Sequence, residues 1–212
     1  MTPCPICAAP RRALVYPRFG WRFDVCDDCG FIQKRNKPSR ELELQTYLNH
    51  NNSLAAPGYA DYLRDFIKTA LLPFFSGEGL LDFGSGPTPA LRELLRREFG
   101  LEADVFDKFF APERVYEGKS YGGICCVEVL EHIEDPLAAF ALFHSLLRPG
   151  GVLGLMTLLH GADDERFLNW FYMRDPTHLS FFTEETLCVL AQKSGFFLLY
   201  SDGRRKVAFR RL

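Results

Sequence analysis

Leu80-Leu81-Asp82-Phe83-Gly84-Ser85-Gly86 reads as the end of a buried strand running into a turn that a ligand can approach closely. Two apolar residues and an acid close the strand, and the glycines let the backbone bend sharply with no Cβ in the way. Thr88 stands as a helix cap and Pro89 suits a first helical position, so backbone N–H groups of the next helix face back toward the turn. A crevice at the carboxyl end of a strand is where open α/β sheets bind nucleotide-sized ligands. The dinucleotide fingerprint G-x-G-x-x-G would need a glycine where Pro89 stands, and no Lys-Ser or Lys-Thr follows to make a phosphate-cradling P-loop. A tight turn with close helix–strand packing is the bland alternative for Gly84 and Gly86.

Outward from this turn, strands and helices alternate. A helix is expected from Pro89 to Phe99 with Gly100 as its stop, then strands near Ala103–Asp107 and Ile124–Val129. Asp135-Pro136 opens a helix to Leu147, and Arg148-Pro149-Gly150-Gly151 turns the chain into strand Val152–Thr157. Thr183, followed by Glu184 and Glu185, starts a helix ending near Gly195. Phe196–Tyr200 and Lys206–Arg210 flank Asp202-Gly203, a hairpin signal. The fold expected is α/β, a Rossmann-like and mostly parallel sheet with a C-terminal antiparallel hairpin.

The 212 residues suffice for one such domain and a small module. That module is legible in Cys4-Pro5-Ile6-Cys7 and Cys26-Asp27-Asp28-Cys29-Gly30, two knuckles separated by eighteen residues, enough for a short hairpin. Four thiolates suit a tetrahedral ion, so Cys4, Cys7, Cys26 and Cys29 are assigned as ligands of a structural zinc with no open catalytic position. A redox Cys-x-x-Cys would need neither two copies nor the glycine after Cys29. Cys125, Cys126 and Cys188 lie in apolar segments and read as core residues. The expected division is a zinc ribbon over residues 1–36, a linker with covering helices (Glu41–Leu48, Tyr59–Leu72) over 37–75, and the sheet domain over 76–212.

Residues 1–40 hold eight Lys or Arg against three acids, on a chain of net charge −2. The basic module leaves nucleic acid open as a partner, with solvated surface charge as the plainer reading. No apolar run reaches membrane-spanning length and the amino terminus lacks the apolar stretch of a signal peptide, so no membrane partner and a cytoplasmic location are expected.

Four blocks in this order resemble the class I S-adenosylmethionine-dependent methyltransferases over residues 78–212. Leu81-Asp82-Phe83-Gly84-Ser85-Gly86 is similar to the family's first motif, and Asp107 ends the second strand where the family holds the ribose hydroxyls. Glu128-Val129-Leu130-Glu131-His132 with Asp135-Pro136 resembles the fourth-strand motif, and Leu147-Arg148-Pro149-Gly150-Gly151 the turn before the fifth strand. The resemblance implies S-adenosylmethionine as cofactor, S-adenosylhomocysteine as product, and a cofactor site of Asp82, Gly84, Ser85, Gly86, Asp107, Glu128 and His132. A cofactor bearing an ammonium and a sulfonium but no phosphate suits carboxylates better than a lysine cradle. Asp107 has two oxygens for two adjacent hydroxyls, and the loop at Cys126, Val127 and Glu128 is expected at the adenine. Phe83 and Phe106 read as core. The chain departs from the family's pattern in having Thr88 for the third glycine.

His50-Asn51-Asn52-Ser53 with Pro57-Gly58-Tyr59, and the segment from Trp170 to Thr183, resemble a bacterial subset that joins a zinc ribbon to this fold. Methyl transfer is an in-line displacement, and a base is needed where the acceptor must lose a proton. His178 is the first candidate and His50 the second, with hydrogen bonding to Asp175 as the structural alternative for His178. Trp170, Tyr172 and Arg174 are the candidates for binding a small-molecule acceptor, against a core role for the aromatics and pairing with Asp175 for Arg174. An RNA methyltransferase using the basic ribbon, and a non-catalytic cofactor-binding protein, are the rival readings.

Overall fold

A computed structural model describes residues 2–49, 52–56 and 58–212. The central sheet has strand order β5-β4-β6-β7-β10-β9, built from β4 (Leu80–Phe83), β5 (Ala103–Phe106), β6 (Tyr121–Val127), β7 (Leu147–Met156), β9 (Phe196–Ser201) and β10 (Lys206–Arg211). The first four are parallel, and β10 pairs antiparallel with both β7 and β9. The chain runs from β4 outward to β5 and then returns to β6 on the other side of β4. This reversal opens a crevice at the carboxyl ends of β4 and β6.

Alternate residues of each strand face opposite layers. Cys125 joins a core with Phe66, Ala70, Leu91 and Leu95, while Cys126 faces a second core with Phe140, Phe143, Leu187 and Phe209. The helices begin with α1 (Arg40–Leu48), the covering helix expected over Glu41–Leu48. The first layer is α2 (Tyr59–Phe66), continued by a π-helical turn at Ile67–Leu71, and α3 (Ala90–Phe99); the second is α4 (Pro136–Leu146) and α6 (Glu184–Lys193). The helix starts follow from their caps. The Asp135 carboxylate accepts Ala138 N–H ahead of Pro136, and Thr183 with Thr186 forms a capping box. Gly100 ends α3 at φ +66°.

Some boundaries differ from the sequence expectation. α3 begins at Ala90 with Pro89 in the capping position and no side-chain cap; Thr88 contributes its carbonyl to Ala90 N–H (2.7 Å) instead of its hydroxyl. Strand β6 ends at Val127 because Glu128 turns into the left-handed region, at φ +53°. Arg148–Gly151 is drawn into β7 as an irregularity between the pairs Tyr121–Leu147 and Gly123–Val152. Cys188 is half-buried, not core. The short helix α5 (Asp164–Asn169), capped by Asp163, had no periodic signal.

The amino-terminal hairpin forms as its cysteines suggest: β1 (Arg12–Tyr16) pairs antiparallel with β2 (Trp21–Val25), which pairs with β3 (Ile32–Lys34). The sheet does not stop there. β8 (Ser180–Phe181), far along the chain, adds to β3. Phe23, Val25 and Ile32 share a core with Phe167, Tyr172 and Phe181. Thr186 and Thr183 hydroxyls donate to the Cys29 carbonyl (2.6 and 3.3 Å), and His160 donates from Nε2 to the Gly30 carbonyl (2.9 Å). A Cβ on Gly30, at φ +75°, would lie 2.7 Å from Thr183, so the second knuckle sits directly on the start of α6.

Candidate active site

One cavity of about 450 Å³ occupies the crevice at the carboxyl ends of β4, β5 and β6, within the range of small-molecule sites. Its floor is the glycine turn. Gly84 has φ +86°, donates its N–H to the Phe106 carbonyl (2.7 Å), and approaches Val129 so closely that a Cβ would meet Cγ2 at 2.2 Å. Gly86, at φ +68°, donates its N–H to Asp107 Oδ2 (2.9 Å), and Ser85 lies between them at the cavity wall.

Asp107 also accepts Phe109 and Phe110 N–H groups on Oδ1, at 2.9 and 3.1 Å. Three of about four lone-pair positions are therefore used. The two-oxygen grip on two hydroxyls expected from sequence reduces to about one open position, because this carboxylate also shapes the turn. Asp82 is buried at the end of β4, and its Oδ2 has no hydrogen-bond partner among the described residues. Burial, with a smaller contribution from Asp107, pushes its carboxyl up to about 7. A cationic ligand group is the natural partner for such an oxygen.

Glu128 leaves the end of β6 and accepts a hydrogen bond from Tyr62 OH (2.6 Å) on α2, and burial raises its carboxyl. Val127 and Glu128 line the cavity, whereas Cys126 faces the opposite core, which corrects its expected place at the adenine. Phe83 and Phe106 pack together (centroids 5.0 Å) and also line the cavity, so they serve both core and wall.

At the far end of the cavity the chain brings together Glu131, His132 and His178. His132 stands on a 3-10 turn, Leu130–His132, and its Nδ1–H donates to the Thr177 carbonyl (3.1 Å). His178 is buried, and its Nδ1–H donates to the Tyr172 carbonyl (2.7 Å) while Nε2 lies 3.9 Å from Asp175. The two imidazoles meet edge to face at 4.7 Å. Glu131 has no exposed surface, and neither carboxylate oxygen has a hydrogen-bond partner among the described residues. Burial first, then the Glu128 charge, pushes its carboxyl up to about 8.

Of the acceptor candidates, Tyr172 lines the cavity and packs against His178, the rings tilted at 56° with centroids 4.1 Å apart. Trp170 and Arg174 do not line it. The 3-10 turn Tyr172–Arg174 sends Arg174 outward to the Asn169 carbonyl (3.2 Å), and Trp170 covers Tyr172 from behind. Phe181 and Phe182 are buried core. His50 lies outside the described residues. Tyr47, Tyr59 and Glu131 also line the cavity; the sequence places Tyr47 and Tyr59 on covering helices and Glu131 in the fourth-strand motif, with none of them among the site candidates. Glu131 had a signal, since Glu128 and Glu131 are one turn apart just past a strand end.

The four ribbon cysteines bring their sulfurs within 4.8 Å of one another, with Cys4–Cys29 at 3.7 Å and Cys7–Cys26 at 3.4 Å. The hydrogen bond with Cys29 holds the Cys4 thiol below the usual range, and backbone N–H groups of the knuckle add to this. Such a closed set of sulfurs fits one tetrahedral ion.

The sequence family described as Methyltransferase domain matches residues 55–201. The chain belongs to this family. It is 51% identical over 39 residues to a ubiquinone biosynthesis O-methyltransferase of Xanthomonas campestris pv. campestris, covering 18% of this chain and 16% of that protein. It is 29% identical over 122 residues to the ubiquinone biosynthesis O-methyltransferase of Dinoroseobacter shibae, covering 54% of this chain and 48% of the relative. The matches thus span about half or less of these curated relatives. An O-methyltransferase from neocarzinostatin biosynthesis, NcsB1, solved with S-adenosylmethionine and 2-hydroxy-5-methyl naphthoic acid, superposes with a TM-score of 0.55. The superposition has 17% identity and covers 81% of this chain and 57% of that one, a likeness of fold. Among the described residues no helix is long and apolar enough to cross a membrane.

The raised Asp82 carboxyl carries a prediction. In the free protein it is neutral below about pH 7 and charged above. If its partner is the ligand's ammonium, S-adenosylhomocysteine affinity rises with pH through that value and binding below it releases a proton. Calorimetry between pH 6 and 8 should show about a tenfold gain in affinity, which Asp82→Asn flattens. The sign for folding is opposite. Asp82 weakens the free protein as pH rises from about 4 to about 7, where the unfolded chain is ionised and the folded one is not.

Proposed function

We propose that the chain transfers the methyl group of S-adenosylmethionine to a small-molecule acceptor by in-line displacement. The reading is carried by one cavity that runs from the Gly84–Gly86 turn, with beside it an Asp82 oxygen that has no hydrogen-bond partner among the described residues, to the Glu131–His132–His178 cluster. When bound, the cofactor supplies an electrophilic methyl on a sulfonium. The chain's own groups do the rest. Asp82 faces the ammonium, Asp107 holds one ribose hydroxyl while fixing the turn, and Gly84 leaves room for the backbone to approach. Tyr59 and Leu63 of α2 close the cavity from above and exclude water. The cluster at the far end takes the acceptor's reacting group and is where any proton it releases would go.

We assign residues 1–36 to a ribbon holding structural zinc, 37–75 to the covering segment and 76–212 to the methyltransferase domain. A small acceptor is favoured over RNA because most basic residues within 1–37 are paired or buried, with Arg18 and Arg22 left exposed and in no ion pair among the described residues. Arg11 and Arg35 pair with Asp24, Arg12 with Asp27 and Asp164, and Lys37 with Glu134. Lys34 is buried, donates to the Asp175 carbonyl (2.7 Å), and burial lowers its ammonium to about 8. Two unpaired arginines are few beside the several phosphate contacts that hold a protein on nucleic acid.

The test is label transfer from methyl-tritiated S-adenosylmethionine across a panel of phenols, catechols, hydroxyacids and amines, with bulk RNA as a further substrate. Transfer to a small molecule with release of S-adenosylhomocysteine is the expected result. Label entering RNA alone, or no transfer despite cofactor binding, would reject it.

A further inference from the structure

We infer that Glu131, His132 and His178 form a second metal site, distinct from the ribbon, for one divalent transition-metal ion of the zinc, iron, cobalt or manganese type. One donor atom from each residue lies within 4.8 Å of the others, with His132 Nε2 4.0 Å from Glu131 Oε1. Ligands about 2.1 Å from a shared ion sit about 3–3.5 Å apart. The gap therefore closes with side-chain movements of about 1 Å.

Two independent observations point to an ion. The first is Glu131 itself, a carboxylate with no exposure that lines the cavity, whose oxygens have no partner at hydrogen-bond geometry among the described residues, with the Tyr172 and Thr157 hydroxyls nearby to favour its charge. Burying such a group has a large desolvation cost that a cation offsets. The second is the set of bonds on the outer side of the histidines. His132 Nδ1–H donates to the Thr177 carbonyl and His178 Nδ1–H to the Tyr172 carbonyl. Each bond fixes the tautomer whose Nε2 carries the lone pair, as the outer partners of metal-ligating histidines do. Asp175, which also lines the cavity and is bonded to Thr177, lies 3.9 Å from His178 Nε2, on the same side as the proposed ion.

Two imidazoles and one carboxylate favour transition metals over magnesium or calcium, which prefer oxygen ligands. Among the described residues the site supplies three protein ligands, and it faces the cavity. An ion there would polarise an acceptor oxygen as a Lewis acid. His178 is then a ligand in place of the proton acceptor expected from sequence. The proposal deepens the methyl-transfer reading but does not depend on it, because the ion is detected without cofactor or acceptor.

The experiment uses the full chain with its ribbon loaded with one equivalent of zinc. Cobalt(II) is then titrated in and followed by absorption and calorimetry, with magnesium as competitor. A second equivalent should bind, with visible bands lacking thiolate-to-metal charge transfer and no displacement by millimolar magnesium. Glu131→Gln should weaken this equivalent at least tenfold and leave the ribbon equivalent intact. His178→Gln, which alters a different ligand, should do the same. Saturation at one equivalent in a protein that folds and binds S-adenosylhomocysteine overturns the metal site alone. A second equivalent unchanged in both variants, or one displaced by magnesium, overturns it equally. Loss of S-adenosylhomocysteine binding in the wild type would instead count against the methyltransferase reading.

Discussion

Gly84→Ala is expected to abolish measurable S-adenosylhomocysteine binding and to lower the melting temperature by about 10 °C. The added Cβ would lie 2.2 Å from Val129 Cγ2 and 2.9 Å from Cγ1, at a φ of +86° that L residues rarely adopt. The left-handed backbone costs about 1–2 kcal/mol and forced overpacking about 1–3 kcal/mol. For a chain of this size each kcal/mol shifts the midpoint by about 2–4 °C. The binding loss has its own cause. The turn can accommodate the methyl group only by moving away from Val129, and that displaces Gly86, whose N–H anchors Asp107. The double variant with Val129→Ala removes the contact but not the backbone strain, so it should recover part of the stability. Wild-type binding and melting in Gly84→Ala would show that the turn is looser than described.

Removing the metal proposed for the ribbon, by chelation or by Cys26→Ser, should have the second large effect, and it should reach well beyond the ribbon. Structural zinc supplies apparent binding energies of about 10–16 kcal/mol in isolated zinc-finger peptides. Its loss should release β1 to β3, and with them β8, the Cys29 carbonyl that holds Thr183 and Thr186, and the Lys34 bond to Asp175. Hydrogen exchange is then expected to accelerate over residues 12–34 and also over 172–186, where Tyr172 and His178 lie. The cofactor end rests on β4 and β5, so S-adenosylhomocysteine affinity should change by less than about threefold. Full protection of both segments in metal-free protein would contradict the coupling.

The contrast between these two ends of the cavity explains what was legible in the chain. Gly84, Gly86 and Asp107 act through local backbone geometry, and a turn that demands glycine is written in consecutive letters. The same holds for Asp135-Pro136, Thr183 and the two cysteine knuckles, whose chemistry depends on near neighbours. The rest of the cavity, with the end proposed for the acceptor, depends on contacts between distant segments. Tyr62 meets Glu128 across 66 residues, and β8 joins the ribbon as a two-residue strand too short to show a period. Trp170 and Arg174 carried suggestive chemistry, yet one 3-10 turn decides that Tyr172 faces in and Arg174 out. Glu131 was visible as a letter in a motif, while its burial, with no hydrogen-bond partner for either oxygen among the described residues, belongs to the folded cavity. Asp107 shows the middle case: its position was readable, but the three backbone N–H groups that occupy it were not.

The central claim is that the cavity beside Gly84 is a methyl-donor site. Isothermal titration of the zinc-loaded chain with S-adenosylhomocysteine at pH 8 tests it most directly. One equivalent should bind with a micromolar dissociation constant, and Asp107→Ala should weaken binding at least tenfold in a protein that still melts cooperatively. No binding by the folded wild type, or binding unchanged by Asp107→Ala, would contradict it.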